Sequence, residues 1–76
     1  MLSSEVVGQV IAEFREKREI SQEVLSGLAG IARTHLSMIE NGKRKPTLET
    51  FYRICMSMGV KPSVIMAEIE RRCDKL

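Results

Sequence analysis

The sequence predicts an all-α domain of five short helices, and three observations predict it. Apolar residues recur at spacings of three and four along the chain, and no segment alternates with period two. Ser, Thr or Pro precedes most of these stripes and Gly follows most of them, as helix ends require. The connections are only a few residues long, as in a compact helical bundle. A chain of 76 residues is expected to form one domain over 1–76.

The first stripe is Val7, Val10, Ile11 and Phe14, at i, i+3, i+4 and i+7. Ser3 or Ser4 can cap its start, with Glu5 favourable near the positive helix end. The run "REKRE" continues the exposed side and leads to Ile20. Ser21 caps a second helix, and Ile20 and Leu25 have the spacing of a hydrophobic staple. Leu25 and Leu28 are its expected buried stripe. Gly27 within it should cost about 1 kcal/mol relative to Ala, and Gly30 ends it. A third helix runs from about Arg33 to Asn41, where Gly42 stops it. The basic "KRKP" leads to Thr47, the cap of a fourth helix with the stripe Leu48, Phe51, Ile54, Cys55 and Met58. Gly59 ends it. Pro62 suits the first turn of a fifth helix, over about 62–74.

Hydrophobic residues are 43% and charged residues 29%, as in an ordinary globular fold. With no Trp, one Tyr and two Phe, the core must be aliphatic. Cys55 and Cys73 lack a CxxC spacing, and the single His35 is distant in sequence from both. A disulfide scaffold or a zinc site is therefore not expected, nor is any cofactor. The N-terminus does not read as a secretory signal, and no apolar run approaches the ~20 residues that span a bilayer. The expected location is cytoplasmic. An enzyme is disfavoured: His35 has no evident nucleophile partner, and no phosphate-binding Gly loop occurs. The net charge of +2 is small but unevenly spread. Residues 1–30 carry three basic and five acidic groups, residues 31–62 six and two, and residues 63–76 three of each. The positive field sits in the middle of the chain.

On a helical wheel at about 100° per residue, Leu36 and Ile39 fall together, with Ala32 between them. That side faces the core. Thr34, Ser37, Met38 and Asn41 fall opposite, with Arg33 and Glu40 on one edge and His35 on the other. The outward face is short, uncharged and chemically mixed, where a solvated face would carry Lys, Glu and Gln. Two short helices joined by a tight Gly turn match a helix-turn-helix, whose second helix enters the DNA major groove. Short side chains let a backbone approach base edges. Hydroxyls donate or accept there, and a methyl or thioether meets the thymine methyl.

The stretch "SQEVLSGLAGIARTHLSMIENGKRKPTLETFYRICMSMGV" strongly resembles the lambda-repressor-like, Xre-type helix-turn-helix domain. The resemblance spans about Val7 to Met66. Its marks are "SQ..L", "LAG" at the turn, "LS.IENGKR.P", "TLET" and the closing "GV". It implies a five-helix bundle that binds operator DNA, usually as a dimer. Gln22 matches a glutamine that touches the DNA backbone and braces the recognition helix. Arg33, Thr34, Ser37 and Met38 match base-reading positions. Asn41, Lys43 and Arg44 match the loop that holds phosphate, and Lys45 extends that charge run. His35, on the edge, is expected to contact backbone or water. Arg15 and Glu40 match a pair tying the first helix to the recognition helix. The chain departs from the pattern at Ala32, where Ser or Thr is a common cap, at Ser26, at the apolar Val24, and at Met38.

Ile65, Met66, Ile69, Cys73 and Leu76 form one stripe on the last helix. The resemblance implies a minimal bundle that needs only about Ile65 and Met66, and Ile69, Cys73 and Leu76 extend past it. The expected interface of a homodimer is this extension together with the residue at its start: Ile65, Ile69, Cys73 and Leu76. Such a dimer would set two recognition helices roughly 34 Å apart, one turn of DNA. The expected function is a sequence-specific, autoregulatory transcriptional regulator on a palindromic operator. It is similar to small phage repressors and restriction–modification controller proteins. With nearly all of the chain in the DNA-binding domain, no small-molecule ligand is expected. The acidic side of "EFREKRE" could meet RNA polymerase. The other reading is an antitoxin, whose last helix binds a different protein.

Overall fold

Each helix begins and stops where its own residues satisfy the backbone. The computed structural model describes residues 1–74. It contains α1 (Ser4–Lys17), α2 (Gln22–Ala29), α3 (Arg33–Glu40), α4 (Leu48–Ser57) and α5 (Pro62–Cys73), and no strand among the described residues. The side-chain oxygens of Ser3, Ser21 and Thr47 accept from the backbone N–H groups of Val6, Val24 and Thr50. Each removes one orphan donor from a helix start. Ser3, not Ser4, is the first cap. Pro62 opens α5 as expected.

The helix ends share one device. The N–H groups of Gly30, Gly42 and Gly59 donate to the carbonyls of Gly27, Ile39 and Met56. The next N–H groups, of Ile31, Lys43 and Val60, reach back to Ser26, Met38 and Cys55. This is the Schellman motif, which needs a left-handed residue at its corner. The three glycines supply φ of 72°, 74° and 74° at little steric cost. The end of α1 uses the same bonds, Glu19 N–H to the Glu16 carbonyl and Ile20 N–H to the Arg15 carbonyl. There the left-handed residue is Glu19, at φ 55°.

Helix α1 packs on α3 and α5, α2 on α3 and α4, and α4 on α5. The core between them is Val7, Val10, Ile11, Leu25, Ala29, Leu36, Ile39, Phe51, Ile54, Cys55, Met58, Val60, Ile65 and Ile69. Each large aliphatic side chain buried there contributes about 1.5–3 kcal/mol before entropy is counted. Burial pushes the Cys55 thiol up to about 12, so it stays protonated and acts as a small hydrophobe. Helices α1 and α3 cross closely at Gly8. A β-carbon there would overlap the Ile39 carbonyl oxygen and lie 2.7 Å from that of Glu40.

Several expectations need correction. Leu28 is 64% exposed. The buried stripe of α2 is Leu25, Ser26 and Ala29, and Leu28 projects roughly 100° from the centre of that arc. Leu48 is 80% exposed: it is the first residue of α4 and lines an open groove with Tyr52 and Met66. Ala32 is exposed. It is the N-cap of α3, with extended backbone, so a helical wheel does not describe it. Helix α3 ends at Glu40, with Asn41 as its cap. Ile65 and Ile69 are buried in the chain's own core, so they offer no surface to a second copy. The bundle has more core to fill than the sequence suggested, since α1 and α4 both close over α5. Cys73 is partly buried against the same cluster, and Leu76 lies outside the described residues.

Candidate nucleic-acid interface

The site is built on α3, which is fixed from behind. Leu36 and Ile39 anchor it in the core. Glu40, with 5% of its side chain exposed, carries three charge-assisted or polar bonds. Arg15 donates to it from Nε at 2.7 Å and from Nη2 at 3.0 Å, and Gln22 from Nε2 at 2.8 Å. The third Arg15 nitrogen, Nη1, donates to the Ile20 carbonyl at 2.8 Å. The bonds to Glu40 hold the Arg15 guanidinium proton more tightly than usual. One carboxylate thus joins α1, the start of α2 and the end of α3. The expected Arg15–Glu40 pair is present, and so is the brace from Gln22. With one N–H committed to Glu40, the Gln22 amide keeps a second N–H and its carbonyl oxygen. Every buried side-chain polar atom of the described residues has a partner.

The side of α3 away from this anchor carries the expected readers. Arg33, Thr34 and Met38 are exposed, and His35 and Ser37 are partly buried. Asn41 is exposed and donates from Nδ2 to the Ser37 hydroxyl oxygen at 3.3 Å. That bond was not anticipated, although a separation of four residues allows it. No side chain caps α3 at Ala32, so its first N–H groups are open to solvent or to an anion. The loop after α3 is pinned at Gly42, where a β-carbon would come 3.0 Å from the Glu5 Cα. Lys43, Arg44 and Lys45 follow directly and are all exposed. A largely uncharged, hydrogen-bonding face beside an exposed basic loop can read base edges while the loop neutralises phosphates. Among the described residues no three His, Cys, Asp or Glu side chains group as a metal site. No described helix is long and apolar enough to cross a membrane.

Sequence reasoning missed Gly8, which sets the α1–α3 distance, and the Ile20 carbonyl, which fixes Arg15. A glycine amid a regular apolar stripe was the one signal for the former.

Comparison with known proteins supports the helix-turn-helix fold. The Helix-turn-helix family profile matches residues 11–65. The control protein C.MunI of a Mycoplasma species is 35% identical over 57 residues, covering 75% of this chain and 77% of its own. An uncharacterised HTH-type transcriptional regulator, y4dJ, of Sinorhizobium fredii is 33% identical over 55 residues, covering 72% of this chain and 71% of its own. The crystal structure of the restriction–modification controller protein C.AhdI from Aeromonas hydrophila superposes with a TM-score of 0.79 at 26% identity, covering 82% of this chain and 94% of that one. By its profile, its relatives and the two helices joined at Gly30, the chain belongs to the helix-turn-helix family, in the lambda-repressor-like, Xre-type form that its sequence resembles.

Proposed function

We propose that the chain is a cytoplasmic, sequence-specific transcriptional regulator that binds a palindromic operator, its own promoter included, as a homodimer. Helix α3 enters the major groove. Arg33, Thr34, Ser37 and Met38 meet base edges, while Gln22, His35, Asn41, Lys43, Arg44 and Lys45 follow the phosphates. The supporting observation is the exposed, short-chained face of α3 with an exposed basic loop directly after it. Single-domain organisation over 1–76 is part of this reading.

Because Ile65 and Ile69 are core, the dimer surface in this reading lies beside them. Leu48, Tyr52 and Met66 line a shallow apolar groove between α4 and α5. A second copy covering it keeps α5 at the two-fold axis and doubles the few contacts one α3 can make. Contact with RNA polymerase through the end of α1 and the turn after it would rest on Glu16 and Glu19, which are exposed, rather than on Glu13, which two bonds from Arg72 hold.

Gel-shift titration against DNA upstream of the gene, with light scattering on the same samples, tests this. Thr34→Ala should cost about 1–3 kcal/mol at one base position. Lys43→Ala should weaken all sequences alike and flatten the salt slope by about one unit. Leu48→Asp, at a site the fold leaves in solvent, should halve the mass and weaken the shift. Identical behaviour of the first two variants would remove the division into readers and phosphate contacts. A wild-type monomer that binds tightly would remove the dimer.

A further inference from the structure

Met38 is the apolar residue on an otherwise polar reading face. It is 41% exposed and belongs neither to the core nor to the partly buried residues packed against it, so filling a gap does not explain it. Its surroundings are held still. The Lys43 N–H donates to the Met38 carbonyl at 2.9 Å, which fixes the last turn of α3 beneath the side chain. One turn back stands Thr34, exposed at the helix start, and the adjacent Ser37 hydroxyl accepts from Asn41. The thioether is thus carried on a helix end whose backbone is hydrogen-bonded into the following loop.

The major-groove edges offer mostly donors and acceptors. Guanine shows N7 and O6, adenine N7 and an amino group, and cytosine an amino group. A methionine laid against any of these removes water from a polar atom and gives no good bond in return, which is costly. The apolar exception is the C5 methyl of thymine, which a cytosine methylated at C5 also carries. We propose that Met38 selects, in each half-site, a pyrimidine bearing a C5 methyl group. This rests on the reading that α3 lies in the major groove, and it adds the class of base that this position recognises.

Sequences selected by the intact protein from random duplexes provide the probe. Each thymine is replaced in turn by deoxyuridine, which removes the methyl and nothing else. At one thymine per half-site the affinity should fall about fourfold, the factor for one buried methyl-sized group. Met38→Ala should bind the thymine site about as weakly and lose sensitivity to deoxyuridine at that position alone. Met38→Leu, still apolar, should keep the sensitivity, which separates the methyl contact from any general weakening. Cytosine against 5-methylcytosine at the same position distinguishes the two sources of the methyl. A gain on methylation in wild type but not in Met38→Ala extends the contact to modified DNA, and no gain restricts it to thymine. If no thymine loses its methyl dependence in Met38→Ala, the proposal is wrong although operator binding stands. If the wild type selects no sequence at all, both fall.

Discussion

Glu19 occupies a backbone position that three glycines fill elsewhere in the same chain. Its φ of 55° places the Cβ of an L-residue close to the following carbonyl, at a cost of about 1–2 kcal/mol. The bonds that close α1 keep it there, and its side chain is exposed, so no packing is lost on replacement. Glu19→Gly should therefore stabilise the protein by about 1 kcal/mol, after allowance for the extra freedom of glycine in the unfolded chain. Urea melts should show a higher midpoint with an unchanged slope. A lower midpoint would mean that the Glu19 side chain contributes more than its corner costs. At this scale the sequence is legible where a residue type has one local use. Ser21 and Thr47 read directly as caps, and Gly30, Gly42 and Gly59 as helix ends. Glu19 was opaque because glutamate carries no signal for a left-handed corner.

Between elements, the decisive contact is one without a side chain. Gly8 lets α1 approach the carbonyls of Ile39 and Glu40 closely enough that a methyl group has no room. That approach sets the Arg15–Glu40 distance and hence the tilt of α3. Gly8→Ala should cost about 1–3 kcal/mol by overpacking. It should also reduce operator affinity in protein that circular dichroism shows to be folded, because relief comes from shifting α3. Full DNA binding with only a lower melting temperature would show that α3 keeps its place by other contacts. Arg15 and Glu40 were readable through family resemblance, Gly8 was not, and the reason is physical. A stripe tells which residues of one helix lie together, but not how near its neighbour comes or which neighbour covers it. The same limit misassigned Leu28, Leu48, Ile65 and Ile69. Each lies on an apolar arc, and only the packing of the other helices decides whether that arc meets core or water.

Across the whole molecule, Arg72 ties the last helix to the first. It donates to Glu13 from Nη2 at 2.7 Å and from Nη1 at 3.1 Å, and to Glu68 from Nε at 2.7 Å. Bonds from Arg71 and then Arg72 pull the Glu68 carboxyl from 4.5 down to about 2, and the bond from Arg72 lowers Glu13. Both carboxyls therefore bind their protons less readily folded than unfolded. The stability they contribute is complete above the unfolded value near 4.5 and is lost as pH falls through the folded values, toward about 2 for Glu68. The groups are partly open to water, so the effect is modest and weakens with salt. Thermal melts of the wild type should fall through this acid window. Arg72→Met should melt lower than wild type at neutral pH and fall less between those limits, since Glu13 then keeps no partner on α5 and Glu68 keeps only Arg71. Parallel acid curves for the two proteins would show that the link from α1 to α5 rests on the burial of Ile65 and Ile69 alone, with the ion pairs adding nothing measurable.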